Sequence, residues 1–143
     1  MSTDGIVDRL SEDECWSRLA GAEICRLAFL QDGRIEVLPV NYAPVGRRLL
    51  LASADLSPVA RSAGGPVTVE VDGWTDEEAW SVVVRGPLLP VDVTDDRPGS
   101  QPWIHDGVPR RRFEVLPIEL RGRRFDRAVT GPATGAASAE DTR

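Results

Sequence analysis

Between residues 24 and 93 the chain repeats one pattern: five to eight residues rich in Val, Ile, Leu, Phe and Tyr, then a turn signal. Residues 24–30 and 35–42 flank Gln31-Asp32-Gly33-Arg34, where Asp-Gly suits a tight hairpin with positive φ. Ala43-Pro44-Val45-Gly46-Arg47 is a second turn, followed by a strand at 48–52. Gly64-Gly65-Pro66 breaks the chain before strands at 67–72 and 80–85, which bracket the acidic loop 73–79. A further strand at 88–93 follows the Gly86-Pro87 break, and 112–121 reads as one long last strand. Six or seven short antiparallel strands predict a mainly β fold, a barrel or a sandwich. A barrel suits their nearly continuous apolar character, because closure leaves no edges exposed.

One helix leads this pattern and another is inserted in it. Ser11 and Glu14 make a capping box, Leu10 stands where it staples onto Cys15, and Trp16, Leu19 and Ala20 form an apolar stripe. Gly21 stops the helix, so its span is 11–20. A short second helix is expected at 57–63, with Ser57 as N-cap and Pro58 in the first position, where a missing N–H costs nothing. Residues 95–109, rich in Pro, Gly and Asp, read as loop. Beyond about Ala128 the chain is Ala, Gly, Thr and Ser with scattered charge, which reads as a disordered tail. The expected organisation is one domain over 1–127 and a tail over 128–143, with no internal repeat.

Charge and composition exclude several functions. The net charge of −6 argues against nucleic-acid and anionic-membrane partners, which need a basic footprint. No apolar run reaches the roughly 18–20 residues of a membrane span. The polar start Met1-Ser2-Thr3-Asp4-Gly5 is unlike an export signal, so the expected compartment is the cytoplasm. All 17 basic residues are arginine, which excludes a Schiff-base or P-loop lysine. Cys15 and Cys25 with one His make neither a zinc pattern nor a disulfide framework, and read as buried reduced thiols.

No paired-carboxylate, Ser-His-Asp or Cys-His arrangement is present, and no metal site. His105, the only imidazole, reads as an exposed loop residue, and the acids of the 72–78 stretch as a solvated loop tip. The start of the second helix is the best local feature. Its free amides and dipole suit a phosphate, Ser53 and Ser57 add hydroxyls, and Arg61 lies one turn on. The plainer alternative is a capped helix with a surface arginine. Arg110, Arg111, Arg112, Arg121, Arg123, Arg124 and Arg127 form a second cluster that solvates strand ends, pairs with acids or faces a phosphorylated ligand. Arg123 and Arg124, if extended, point to opposite faces. Trp16 belongs to the helix stripe. Trp74, Trp80 and Trp103 lie near loops, where they either wall a planar ligand or pack in a core or interface.

The ordered series Glu14-Cys15-Trp16, Cys25-Arg26-Leu27-Ala28-Phe29, Val37-Leu38-Pro39-Val40-Asn41-Tyr42, Val69-Glu70-Val71-Asp72, Trp80-Ser81-Val82-Val83-Val84-Arg85-Gly86, Pro102-Trp103 and Gly122-Arg123-Arg124-Phe125 resembles the pyridoxamine 5′-phosphate oxidase-like family of flavin-nucleotide-binding split β-barrels. The likeness spans about residues 9–126. It implies a six-stranded antiparallel split barrel that works as a homodimer and an FMN-binding oxidoreductase, with the cofactor at the dimer interface. In some branches a deazaflavin coenzyme or haem takes its place. By the same resemblance, Pro39, Val40, Asn41 and Tyr42 run along the flavin ring, and Ser53, Ser57 and Arg61 lie near the phosphate. Trp80 and Ser81 sit near the interface, and Trp103 and Arg124 at the ring's outer edge. Relatives often carry Arg-Thr and a Gly-Ser/Thr-Lys run where this chain has Ala52-Ser53 and Leu56-Ser57-Pro58. The alternative implied by that departure is a relative that has lost flavin and serves as a dimeric binding module.

Overall fold

The computed structural model describes residues 7–53, 58–91 and 111–127. In chain order they form β1 (Val7–Arg9), α1 (Glu12–Ala20), β2 (Ile24–Gln31), β3 (Arg34–Val45), β4 (Arg48–Ser53), α2 (Pro58–Arg61), β5 (Pro66–Trp74), β6 (Glu78–Val91), β7 (Arg111–Val115) and β8 (Glu119–Asp126). Every strand pairing is antiparallel, in the order β1-β8-β6-β5-β2-β3-β4-β7, and β7 also pairs with β6. That last pairing closes β6, β5, β2, β3, β4 and β7 into a six-stranded barrel. The two long strands make closure possible. β3 pairs with β2 through residues 34–41 and with β4 through residues 42–45, while β6 pairs with β5 and β8 and then with β7.

Alternation fills the barrel. Leu27, Val69, Val82 and Val84 are fully buried on neighbouring strands and meet Leu49, Leu88, Phe113 and Val115 from the other half. Each such side chain contributes about 1.5–3 kcal/mol of burial. The β2–β3 turn places Asp32 and Gly33 at φ 54° and 77°, the twist that a two-residue hairpin needs. On α1 the capping box is formed: Glu14 N–H donates to Ser11 Oγ (3.1 Å) and Ser11 N–H to Glu14 Oε1 (2.8 Å). Leu10 and Cys15 both rest on Gly122 of β8, where a Cβ would stand 2.5 Å from Cys15 Sγ. The Tyr42 hydroxyl donates to the Leu19 carbonyl and ties the last turn of α1 to β3.

Three segments differ from expectation. The anticipated single strand over 112–121 is two, β7 and β8, divided at Leu116-Pro117-Ile118. Pro117 has no N–H to pair and holds Leu116 extended, so the chain crosses over β6 there and changes partners. The anticipated break at Gly86-Pro87 is not one, because β6 runs through it. Gly86 passes beneath the Leu116 carbonyl, and Pro87 is paired with Pro66, where neither residue has an N–H to lose. β1 was not anticipated, since three exposed residues carry no periodicity; among the described residues it pairs with the edge of β8 alone. Among the described residues no helix is long and apolar enough to cross a membrane.

Candidate functional site on the outer sheet face

Outward positions of β3, β2, β5, β6 and β8 share one broad face. The register sets Pro39, Arg26, Glu70, Val83 and Arg121 in one row, and Val37, Ala28, Thr68, Arg85 and Glu119 in the next. At one end of this face lies a cavity of about 580 Å3 walled by Leu30, Ile35, Pro66, Thr68, Pro87 and Ile118. Leu30, Ile35 and Ile118 are 64%, 74% and 81% exposed, so the chain leaves a contiguous apolar patch facing water. The other end is charged. Arg26 reaches Glu70 and Asp72, each at 3.3 Å, while Arg85 and Arg121 both bind Glu119, at 3.2 and 3.0 Å. Burial, then the hydrogen bond and charge of Asp72, push the Glu70 carboxyl up to about 7, with Arg26 opposing. A smaller cavity, about 170 Å3, lies among Ser81, Val83, Arg85, Arg121 and Arg123. Arg123 has no ion pair among the described residues.

The anticipated site residues are divided by this geometry. Pro39, Asn41 and Ser81 are on the outer face, with Asn41 and Ser81 half-buried. Val40 and Tyr42 point inward and are buried in the barrel. Trp80 is half-buried toward α1. Its ring covers Gly73, the residue opposite it on β5, and the Arg18 guanidinium stands 5.2 Å from the ring centroid. Arg124 also faces α1, paired with Asp8 (2.6 Å), Asp126 (3.0 Å) and Glu78 (3.4 Å), so it and Arg123 point to opposite sides of β8. Asp126 and Asp8 hold its guanidinium more firmly protonated than usual.

Arg61 ends α2, and with the Gln31 amide oxygen turned toward it, Nη2 and Nε donate at 2.8 and 3.0 Å. A cavity of about 330 Å3 is lined there by Gln31, Asp32, Pro58, Arg61 and Ser62. Ser53 ends β4, paired with Arg111. Ser57, Trp103, His105, the 95–109 stretch and the 128–143 tail lie outside the described residues. The sequence reading missed the Arg26–Glu70–Asp72 cluster and the Leu30–Ile35–Ile118 patch. Their outward parity was readable, but their adjacency depends on which strands pair. Both thiols are buried and free, and burial pushes Cys25 up to about 12, which keeps it protonated. No three His, Cys, Asp or Glu side chains gather to hold a metal among the described residues.

A closed six-stranded antiparallel barrel with a capping helix and an open, partly apolar outer face defines the split-barrel class. The family model described as pyridoxamine 5′-phosphate oxidase matches residues 11–124, and the chain belongs to that family. Among solved structures it is similar to an FAD binding protein from Mycobacterium smegmatis, with 29% identity over 85% of this chain and 100% of that one and a TM-score of 0.75. It is also similar to an FAD-binding protein from Mesorhizobium loti, with 26% identity over 84% of this chain and 97% of that one and a TM-score of 0.67. The fold alone is shared with an FAD and heme binding protein from M. smegmatis, with 16% identity over 86% of this chain and 75% of that one and a TM-score of 0.65. No curated protein matches the chain.

Proposed function

We propose that this chain is a homodimeric flavin-nucleotide-binding oxidoreductase that holds its cofactor in clefts between the outer faces of two copies. The observation that carries this reading is the exposed apolar patch of Leu30, Ile35 and Ile118 beside a charged, hydrogen-bonding half-face, in a chain similar to two proteins named for FAD binding. A single subunit does not supply a complete site. Asn41 on β3 and Ser81 on β6 stand three strand spacings apart, about 14 Å, too far for one ring system to meet both. Pairing two faces brings one copy's β3 edge toward the other's β6–β8 edge, which is the support for a shared cleft.

The residues fit a flavin nucleotide in kind. Pro39 and the apolar patch offer a floor for a planar ring, and Asn41 and Ser81 offer hydrogen bonds to its polar edge. Arg61 or Arg123 offers a guanidinium to a phosphate. Once bound, the isoalloxazine supplies the electron-transfer chemistry, while the protein holds, orients and screens it. FMN is the unit the sequence resemblance implies; FAD, which contains that unit, is favoured by the names of the relatives. The two buried free thiols support a reducing compartment, the cytoplasm.

A second reading has its own support. Arg61 is already engaged by Gln31, and the Asp32 carboxylate lines the same cavity, so the expected phosphate position is poorer in positive charge than a nucleotide demands. That favours a dimeric binding module without flavin. Absorbance of protein purified without added cofactor, followed by titration with FMN, FAD and riboflavin, separates the two. A flavin spectrum or saturable binding supports the oxidoreductase, and a colourless protein that ignores all three overturns it. Arg61→Ala and Arg123→Ala locate the phosphate. Losing a charge-assisted hydrogen bond of about 1.5–3 kcal/mol weakens FMN roughly 10- to 150-fold and leaves riboflavin unchanged. If both ligands weaken equally in each variant, neither arginine reads the phosphate.

A further inference from the structure

The end of the outer face away from the Leu30–Ile35–Ile118 patch carries an aromatic row. The register sets Trp74 of β5, Ala79 of β6, Phe125 of β8 and Val7 of β1 opposite one another. Their parity is that of Glu70, Val83 and Arg121, so all four face outward. Trp74 is 70% exposed, Val7 53% and Phe125 37%, which leaves two aromatic rings facing water on the strands either side of a bare alanine. Two strand spacings, about 9.6 Å, separate β5 from β8. A planar ring above Ala79 would lie about 4.8 Å from each neighbour, within the roughly 4.5–7 Å range of aromatic pairs. The slot is braced, because the Arg127 N–H donates to Glu77 O (3.0 Å) and its Nη1 to Thr75 O (2.8 Å), tying the end of β8 to the β5–β6 turn.

The next row, about 6.8 Å along the strands, is Asp72, Ser81, Arg123 and Arg9. Arg9 and Arg123 stand directly opposite each other, a placement of like charges that costs stability. Neither has an ion pair among the described residues, in a chain where acids outnumber arginines 23 to 17. Arg124, on the other side of the same strand, holds three carboxylates. Arg123 also walls the 170 Å3 cavity with Ser81, Arg85 and Arg121, and the one Glu119 carboxylate serves both of the latter.

Two guanidiniums side by side without carboxylates call for a dianion, and their planar forks suit phosphate oxygens. The rings one row away call for a planar group. Inorganic phosphate would use only the arginines, and an uncharged aromatic only the rings. A nucleotide carries both, with its ribose spanning from one row to the next. We propose that this edge of the outer face binds a nucleoside diphosphate unit, its base between Trp74 and Phe125, its diphosphate on Arg9 and Arg123, and the Ser81 hydroxyl donating to a phosphate oxygen. The ADP half of FAD and a free nucleotide present the same unit, and only the first of these rests on the flavin reading.

The test is isothermal titration calorimetry on the full chain with ADP as the probe, and with adenosine, inorganic pyrophosphate, FMN and FAD beside it. Trp74→Ala, Arg9→Ala and Arg123→Ala all change exposed side chains, so the fold is retained. ADP should bind saturably. Trp74→Ala should weaken ADP about 5- to 150-fold, the range for a lost base stack, and leave pyrophosphate unchanged. Arg9→Ala and Arg123→Ala should each weaken ADP and pyrophosphate about 10- to 150-fold and leave adenosine unchanged. FAD binding tighter than both ADP and FMN, with its advantage over FMN lost in Trp74→Ala, identifies the unit as half of the cofactor. ADP binding with FMN ignored and FAD no tighter than ADP identifies a free nucleotide, and sinks the flavin reading while this site stands. No saturable ADP binding, equal ADP affinity in the natural chain and all three variants, or pyrophosphate lost along with ADP in Trp74→Ala overturns the proposal.

Discussion

Gly86→Ala is the substitution whose effect the structure defines most sharply. A Cβ at Gly86 would stand 1.8 Å from the Leu116 carbonyl oxygen and 2.9 Å from its carbon. Backbone is in the way, so no rotamer change relieves the clash, and Leu116 must retreat by more than an ångström. Two hydrogen bonds clamp that crossing: Leu116 N–H to Pro87 O at 3.3 Å and Ile118 N–H to Arg85 O at 2.8 Å. Losing both costs about 1–3 kcal/mol, and overpacking adds about 1–3 more. The expected destabilisation is therefore about 2–6 kcal/mol, a large part of the 5–15 kcal/mol that holds a typical domain. Gly65→Ala is the control. Its Cβ meets nothing closer than Ser62 O at 3.5 Å and its φ is not positive, so it should be neutral or stabilise by up to about 1 kcal/mol. Urea unfolding followed by tryptophan fluorescence reads both. A Gly86→Ala protein within about 0.5 kcal/mol of the natural chain would refute the reasoning, because the β7–β8 crossing would then be free to lift.

The remaining expectations concern the helix tie, the outer face and pH. Tyr42→Phe removes the donor to Leu19 O in a buried position and should cost about 1–3 kcal/mol by urea unfolding; no loss would mean that α1 is held by its packing and its ion pairs without this bond. Leu30→Asp alters a residue 64% exposed in the single chain, so it should leave that chain's stability within about 0.5 kcal/mol and convert a dimer to monomer in sedimentation velocity. An unchanged sedimentation coefficient would place any dimer contact elsewhere. Glu70 has a folded-state pKa raised from 4.5 to about 7, so the folded state binds more protons than the unfolded one between those values. Its contribution is fully present below about pH 4.5 and is lost as pH rises through about 7. Glu70→Gln, which keeps a donor for Asp72 without the charge, should remove that part of the pH slope; an identical pH profile in the variant counts against the Glu70–Asp72 pair.

Much of the fold could be read locally. The Asp32-Gly33 turn, the Ser11–Glu14 box and the inward Leu27, Val69 and Val82 follow from rules that act within a few residues: positive φ, capping and a period of two. These constraints operate before any tertiary contact forms, so the barrel's strands and the leading helix were legible. The split at Leu116-Pro117-Ile118 was less so, because a proline at a strand centre and one at a crossing look alike until the partner strands are known. Trp80 shows the same limit. Near a loop it reads equally as a ligand wall or a core residue, and it is the bare Gly73 across from it on β5 that decides its place.

The candidate site divides along the same line. Residue types and parity were set by the chain itself: Pro39 and Asn41 outward, Val40 and Tyr42 inward, Arg123 and Arg124 on opposite sides of their strand. Pairing across the sheet was not, since Arg124 draws two of its three acids from β1 and β6, Asp8 lying 116 positions away, and Arg26 finds Glu70 only through the β2–β5 register. Hydrogen-bonded register and long-range charge pairing are paid for by closing loops between distant segments, so no local pattern encodes them. Whether an arginine of this chain is free to meet a ligand or is spent on its own carboxylates is therefore decided only when the barrel closes.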